Sequence, residues 1–124
     1  MTETEINQLA DTNRETAFSI HTYIKNGFLE KVYENSLRNR LMTLGLNVEQ
    51  QVAIPVTDED GSTVGEYLAD LIVEKHILIE LKAVKSISNE HTAQILSYLK
   101  ATGIAHGLLT NFGAEKLQIR KFIY

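Results

Sequence analysis

The chain has 124 residues, of which 44% are hydrophobic and 23% charged, with no cysteine and a net charge of −4. Such a length fits one domain over residues 1–124 that folds without a disulfide or metal staple. Missing cysteines exclude thiol catalysis, zinc fingers and iron–sulfur clusters, and the acidic balance argues against coating nucleic acid with bulk positive charge.

In chain order, about Ile6 to Tyr23 reads as a helix, with Ile6, Leu9, Ala10, Ala17, Ile20 and Ile24 forming an apolar stripe. Asn26-Gly27 breaks it. A second helix is expected from about Phe28 to Leu44, with the apolar residues Leu29, Val32, Tyr33, Leu37, Leu41 and Leu44 at spacings of three and four and Gly45 as its stop. The period then changes. Val48 to Val56 leads into the turn signal Asp58-Glu59-Asp60-Gly61, and strands are expected over about Thr63–Glu74 and Ile77–Ala83. Ser86 to Asn89 looks like the start of a helix that runs to Thr102 and stops at Gly103. Short strands near Ala105–Thr110 and Leu117–Tyr124 complete the order ααβββαββ, which predicts an α/β (or α+β) fold on a mixed sheet. No run approaches the roughly 18 apolar residues of a membrane span. The acidic, polar opening does not read as a signal peptide, so a cytoplasmic protein without a membrane partner is expected.

Three charged residues interrupt the apolar middle: Asp70, Glu80 and Lys82. Strand periodicity puts Glu80 and Lys82 on one face. If Glu74, Lys75 and His76 form the turn, Val73 pairs with Ile77 and Asp70 falls opposite Glu80, with Cβ atoms about 5 Å apart. Two ionised carboxylates that close demand a cation or a raised pKa. A hard divalent ion such as Mg²⁺ (or Mn²⁺) answers the demand, and Lys82 beside it could orient a water against a phosphodiester. The competing reading is an ion pair of Lys82 with Glu80 or Asp70 at a sheet edge. Gln94 and Tyr98, four apart, share a helical face and suit substrate contact, or else a core tyrosine beside a solvent-facing glutamine. Glu30 and Tyr33 share a face of the second helix. Glu30 is either a third carboxylate aimed at the metal or an ordinary N-terminal glutamate favoured by the helix dipole, and Tyr33 on the plainer reading is a core residue. His21 is either a surface histidine or a general base.

The run His21…Gly27-x-x-Glu30-x-x-Tyr33 resembles the signature of the GxxExxY protein family, a branch of the PD-(D/E)XK nuclease-like superfamily. The likeness continues through Ala69-Asp70-Leu71, Ile79-Glu80-Leu81-Lys82-Ala83, Ala93 to Leu99 and Gly107 to Gly113, and Arg120 matches a basic residue near the C-terminus. It implies a restriction-endonuclease-like core, a mixed central sheet flanked by helices. It also implies catalysis by Asp70, Glu80 and Lys82, metal binding by Asp70, Glu80 and Glu30, and a Gln-x-x-x-Tyr motif at Gln94 and Tyr98. Tyr33 and His21 join those two as substrate-positioning residues. The implied activity is Mg²⁺-dependent hydrolysis of DNA, less readily RNA, with a homodimer as one way to reach both strands. The alternative is a module of the same fold that binds nucleic acid or a protein without cutting. Two positions depart from the pattern: Lys25-Asn26 precedes Gly27 where a second glycine is usual, and Leu68 replaces an arginine two residues before Asp70, removing a phosphate contact.

Overall fold

Local sequence signals set most element boundaries in the computed structural model, which describes residues 1–124. Helix α1 (Glu3–Ile24) opens on a capping box in which the Thr2 hydroxyl accepts from Glu5 N and Glu5 Oε1 accepts from Thr2 N. It buries Ile6, Leu9, Ala10, Asn13, Ala17 and Ile20. Helix α2 (Glu30–Thr43) buries Tyr33, Glu34, Leu37 and Leu41. Only part of the apolar row spaced by three and four is buried. Leu29, Val32 and Leu44 are exposed, because the face that packs follows the 33–37–41 row and draws in Glu34 instead. Helix α3 (Asn89–Thr102) starts on Ser88, whose hydroxyl accepts from His91 N, and ends at Gly103 in the left-handed conformation.

The sheet has five strands in the order β1 (Val48–Thr57), β2 (Thr63–Val73), β3 (Ile77–Lys82), β4 (His106–Asn111) and β5 (Gln118–Ile123). All neighbours are antiparallel except β3 and β4, which run parallel with α3 as their crossover. This is the mixed sheet flanked by helices that the sequence predicts. Val73 pairs with Ile77 as counted, across a turn whose central residues Glu74 and Lys75 both have positive φ. Side chains from α1 and α2 pack with Leu71, Val73, Ile77, Ile79 and Leu81 on one side. Those of α3 pack with Ala69, Ile72, Leu78 and Leu109 on the other. No helix is long and apolar enough to cross a membrane.

The alternation of faces switches once. On β2, Leu71 and Val73 join the α1–α2 core, yet Ala69 joins the α3 core; on β1, Val48 joins the first and Val52 and Ile54 the second. Strict period two would keep each of these sets on one side. The switch falls where Gln51 adopts φ 52° and drops out of the ladder between the pairs Gln50–Leu71 and Val52–Ala69. Asp70 occupies the matching place on β2.

Candidate metal centre

Asp70 sits at this irregular rung, one step beyond the last β2–β3 pair, Leu71 with Ile79. There, side chains take over from the backbone ladder. Asp70 N donates to Glu80 Oε1 at 3.0 Å, and Leu81 N donates to Asp70 Oδ2 at 2.9 Å. The other oxygen of Asp70, Oδ1, lies against the Gln51 side-chain amide. One oxygen from each of Glu30, Glu34 and Asp70 lies within 4.8 Å of the other two.

The expected metal set was Asp70, Glu80 and Glu30. Asp70 and Glu30 do converge, but the third member of the trio is Glu34, and Glu80 stands outside it against the main chain of Asp70. Glu34 escapes a sequence reading because a glutamate on a helix usually faces water. One signal was present. Glu30 and Glu34 are four apart on one face, a like-charge pair that destabilises a helix unless something offsets it.

The surroundings make the Glu80, Asp70 and Glu30 carboxyls costly to ionise. Burial, followed by the charge of Asp70, pushes Glu80 up to about 9, and the Lys82 ammonium pulls the other way. Burial raises Asp70, opposed first by its hydrogen bond from Leu81 N. Glu30 is raised by burial and then by Asp70. Glu34 is buried among donors. Lys31 Nζ at 2.9 Å and the Gln50 amide reach its Oε2, and Gln51 Nε2 reaches its Oε1 at 3.0 Å. Gln51 Nε2 also lies 3.2 Å from Asp70 Oδ1. A donor set of three hard carboxylate oxygens, crowded enough to repel one another, fits a divalent cation such as Mg²⁺ or Mn²⁺.

On the other side of Glu80, Lys82 Nζ donates to Gln94 Oε1 at 2.8 Å, and Gln94 Nε2 donates to the Tyr98 hydroxyl at 3.1 Å. The sheet-edge ion pair is absent: the salt bridges are Lys31–Glu34 and Arg14–Asp11, and neither involves Lys82. Tyr98 is raised by burial and then by the charge of Glu80, and its ring lies 5.3 Å from that of Tyr67. Lys82, Gln94 and Tyr98 therefore form one connected row beside Glu80.

His21 and Tyr33 are drawn elsewhere. Tyr33 is fully buried and stacks on Phe112 at 4.8 Å; its hydroxyl donates to Lys25 O and accepts from Phe28 N. His21 Nε2 meets Ala114 O at 2.9 Å. Both side chains tie the α1–α2 turn and α1 to the segment after β4. That segment in turn fixes the end of β3. Asn111, fully buried, accepts from Val84 N and Gly113 N and donates to Val84 O and Gln118 Oε1, while Phe112 N donates to Lys82 O. The Gly107–Gly113 run is thus a clamp beneath Lys82, and Leu68 and Arg120 are exposed.

Residues 7–122 match the family described as the PD-(D/E)XK nuclease superfamily. The chain belongs to this superfamily. The acidic trio of Glu30, Glu34 and Asp70 is a group that could hold a metal ion. Among solved structures, the fold is similar to one described as "Crystal structure of SSO0001", with a TM-score of 0.60 and 21% identity over 98% of this chain. The match spans 58% of that chain. At that identity the likeness concerns the fold alone. No curated protein matches the sequence.

Proposed function

We propose that the protein is a divalent-metal-dependent nuclease of the GxxExxY branch that hydrolyses DNA phosphodiester bonds, with RNA a poorer substrate. The observation that carries this reading is the convergence of Glu30, Glu34 and Asp70 next to a buried Glu80 and a lysine free of any ion pair. The three carboxylates hold the cation. When bound, the ion offsets their charge, polarises a phosphoryl oxygen and makes a coordinated water more acidic. Asp70, Glu80 and Lys82 form the catalytic set. Glu80 fixes the Asp70 backbone through Oε1, and Lys82 directs its ammonium at the attacking water and the charge that grows on the phosphate. Gln94 orients Lys82, and Tyr98 orients Gln94 and faces the substrate. His21 and Tyr33 serve as framework for the α1–α2 turn. The protein works in the cytoplasm, and two copies pair to engage both strands of a duplex.

The test is cleavage of labelled linear duplex DNA, single-stranded DNA and RNA with Mg²⁺ or Mn²⁺. Cleavage of DNA that disappears on chelation and is nearly lost in folded Glu80→Ala and Lys82→Ala proteins supports the reading. Activity that persists near the wild-type rate in either variant overturns it. A net charge of −4 favours a second reading, a module that binds without cutting. Binding of the same DNA without cleavage under any divalent ion would establish that alternative.

A further inference from the structure

Gln51 is the least ordinary residue at the site. It holds φ 52° in the middle of a strand, where a non-glycine residue is costly. Its side chain is exposed, and its terminal amide bridges Glu34 Oε1 at 3.0 Å and Asp70 Oδ1 at 3.2 Å. Its Oε1 has no hydrogen-bond partner in the protein. The neighbouring Gln50 contrasts with it. That amide is fully occupied, accepting from Arg38 and donating to Glu34 and Asn35, so it braces the carboxylate and is not free to turn.

We propose that Gln51 is a ligand of the cation held by Glu30, Glu34 and Asp70, contributing its amide oxygen; the inference rests on the metal reading above. A half-turn of the terminal amide exchanges Nε2 for Oε1 at the same place without moving the backbone. Which atom faces inward follows from charge. Against two bare carboxylates the N–H donors point in, and against a cation the oxygen does. An amide oxygen is a hard, neutral donor that Mg²⁺ and Mn²⁺ accept, and it adds a ligand without adding a negative charge to a trio already in repulsion. The irregular backbone at Gln51 aims the side chain at α2, and that aim is what the strain secures.

The experiment is calorimetric titration of the whole protein with Mn²⁺, without nucleic acid, for wild type, Gln51→Leu and Gln51→Glu. Thermal unfolding of each metal-free protein checks its fold. Gln51→Leu, similar in shape but without a donor oxygen, should bind Mn²⁺ about tenfold more weakly. Gln51→Glu should bind at least as tightly as wild type. In parallel, Mg²⁺ should shift the side-chain amide resonances of Gln51 in the wild-type NMR spectrum, a readout that needs no variant to fold. Gln51→Leu binding as tightly as wild type or tighter, or Gln51 amide resonances unmoved at Mg²⁺ saturation, overturns the role of Gln51 alone. Failure of the wild type to bind Mn²⁺ overturns the metal site itself and this inference with it.

Discussion

The backbone N–H of Asp70 donates to the Glu80 carboxyl at 3.0 Å, so an acid on one strand is held by the main chain of the acid opposite it. The bond fixes Asp70 and at the same time keeps Glu80 near a second carboxylate inside the protein. Burial and the Asp70 charge raise Glu80 from 4.5 to about 9. In the metal-free protein the folded state therefore keeps a proton that the unfolded chain releases. Folding stability from this group is complete below about pH 4.5 and falls as the pH rises toward about 9; Glu30 and Asp70, also raised, act in the same direction.

The corresponding prediction concerns Glu80→Gln. Without metal it should raise the Tm at pH 8, by the equivalent of roughly 1–3 kcal/mol, and flatten the decline of stability with pH. Thermal unfolding between pH 5 and 9 measures this. An unchanged or lowered Tm at pH 8 would mean that Glu80 is ionised at little cost.

Glu30→Gln should show opposed effects. Burial and Asp70 raise Glu30, so removing its charge should stabilise the metal-free fold. Removing a ligand oxygen should also weaken Mn²⁺ binding at least about tenfold. Calorimetry and thermal unfolding on the same sample read both effects. Glu34→Gln should lose affinity as well, and unaltered binding in either variant removes that residue from the ligand set.

The contrast between Glu34 and Asp70 shows how far sequence reasoning reaches. The order ααβββαββ, the Val73–Ile77 register and the approach of Asp70 to Glu80 all follow from period, turn chemistry and counting. These are local rules, and nothing nearby opposes them. Glu34 and Gln51 do not follow. A glutamate on a helix is read as solvated until the packing face is known, and Gln51 reaches the site only because its φ departs from strand values. Leu29, Val32 and Leu44 mislead for the same reason: their spacing suits a buried stripe, but α2 meets the sheet along the row of Tyr33, Leu37 and Leu41. The Gly107–Gly113 run is legible as a motif in the sequence, whereas its work as a clamp depends on contacts with Val84, distant in the chain.

That clamp gives a prediction about folding. A Cβ added at Gly113 would lie 2.2 Å from Val84 N and 2.4 Å from Ala83 C, both backbone atoms that cannot give way cheaply. Gly113→Ala should fail to fold, or should fold with the end of β3 displaced. Asn111→Ala, which removes four hydrogen bonds made by a fully buried side chain, should cost about 2–4 kcal/mol. Chemical denaturation measures the second. A loss under about 1 kcal/mol would place the anchoring of this loop elsewhere.

The row from Lys82 to Gln94 to Tyr98 separates a catalytic group from the residues that aim it. Lys82→Ala should leave only a small residual rate of metal-dependent cleavage, at least about 100-fold below wild type, with little change in Tm, because the ammonium makes no ion pair and its hydrogen bond is to a neutral amide. Gln94→Ala leaves the ammonium in place but unaimed, and should lower kcat by about 10- to 100-fold. Tyr98→Phe removes only the hydroxyl at the far end of the row and should cost less than either. If Gln94 acts through Lys82, adding Gln94→Ala to Lys82→Ala should lower the residual rate no further, since groups that work as a unit are not additive. Single-turnover cleavage of a labelled duplex measures all four proteins. A double variant slower than Lys82→Ala by the full factor of the Gln94→Ala change would show that Gln94 touches the substrate independently of the lysine.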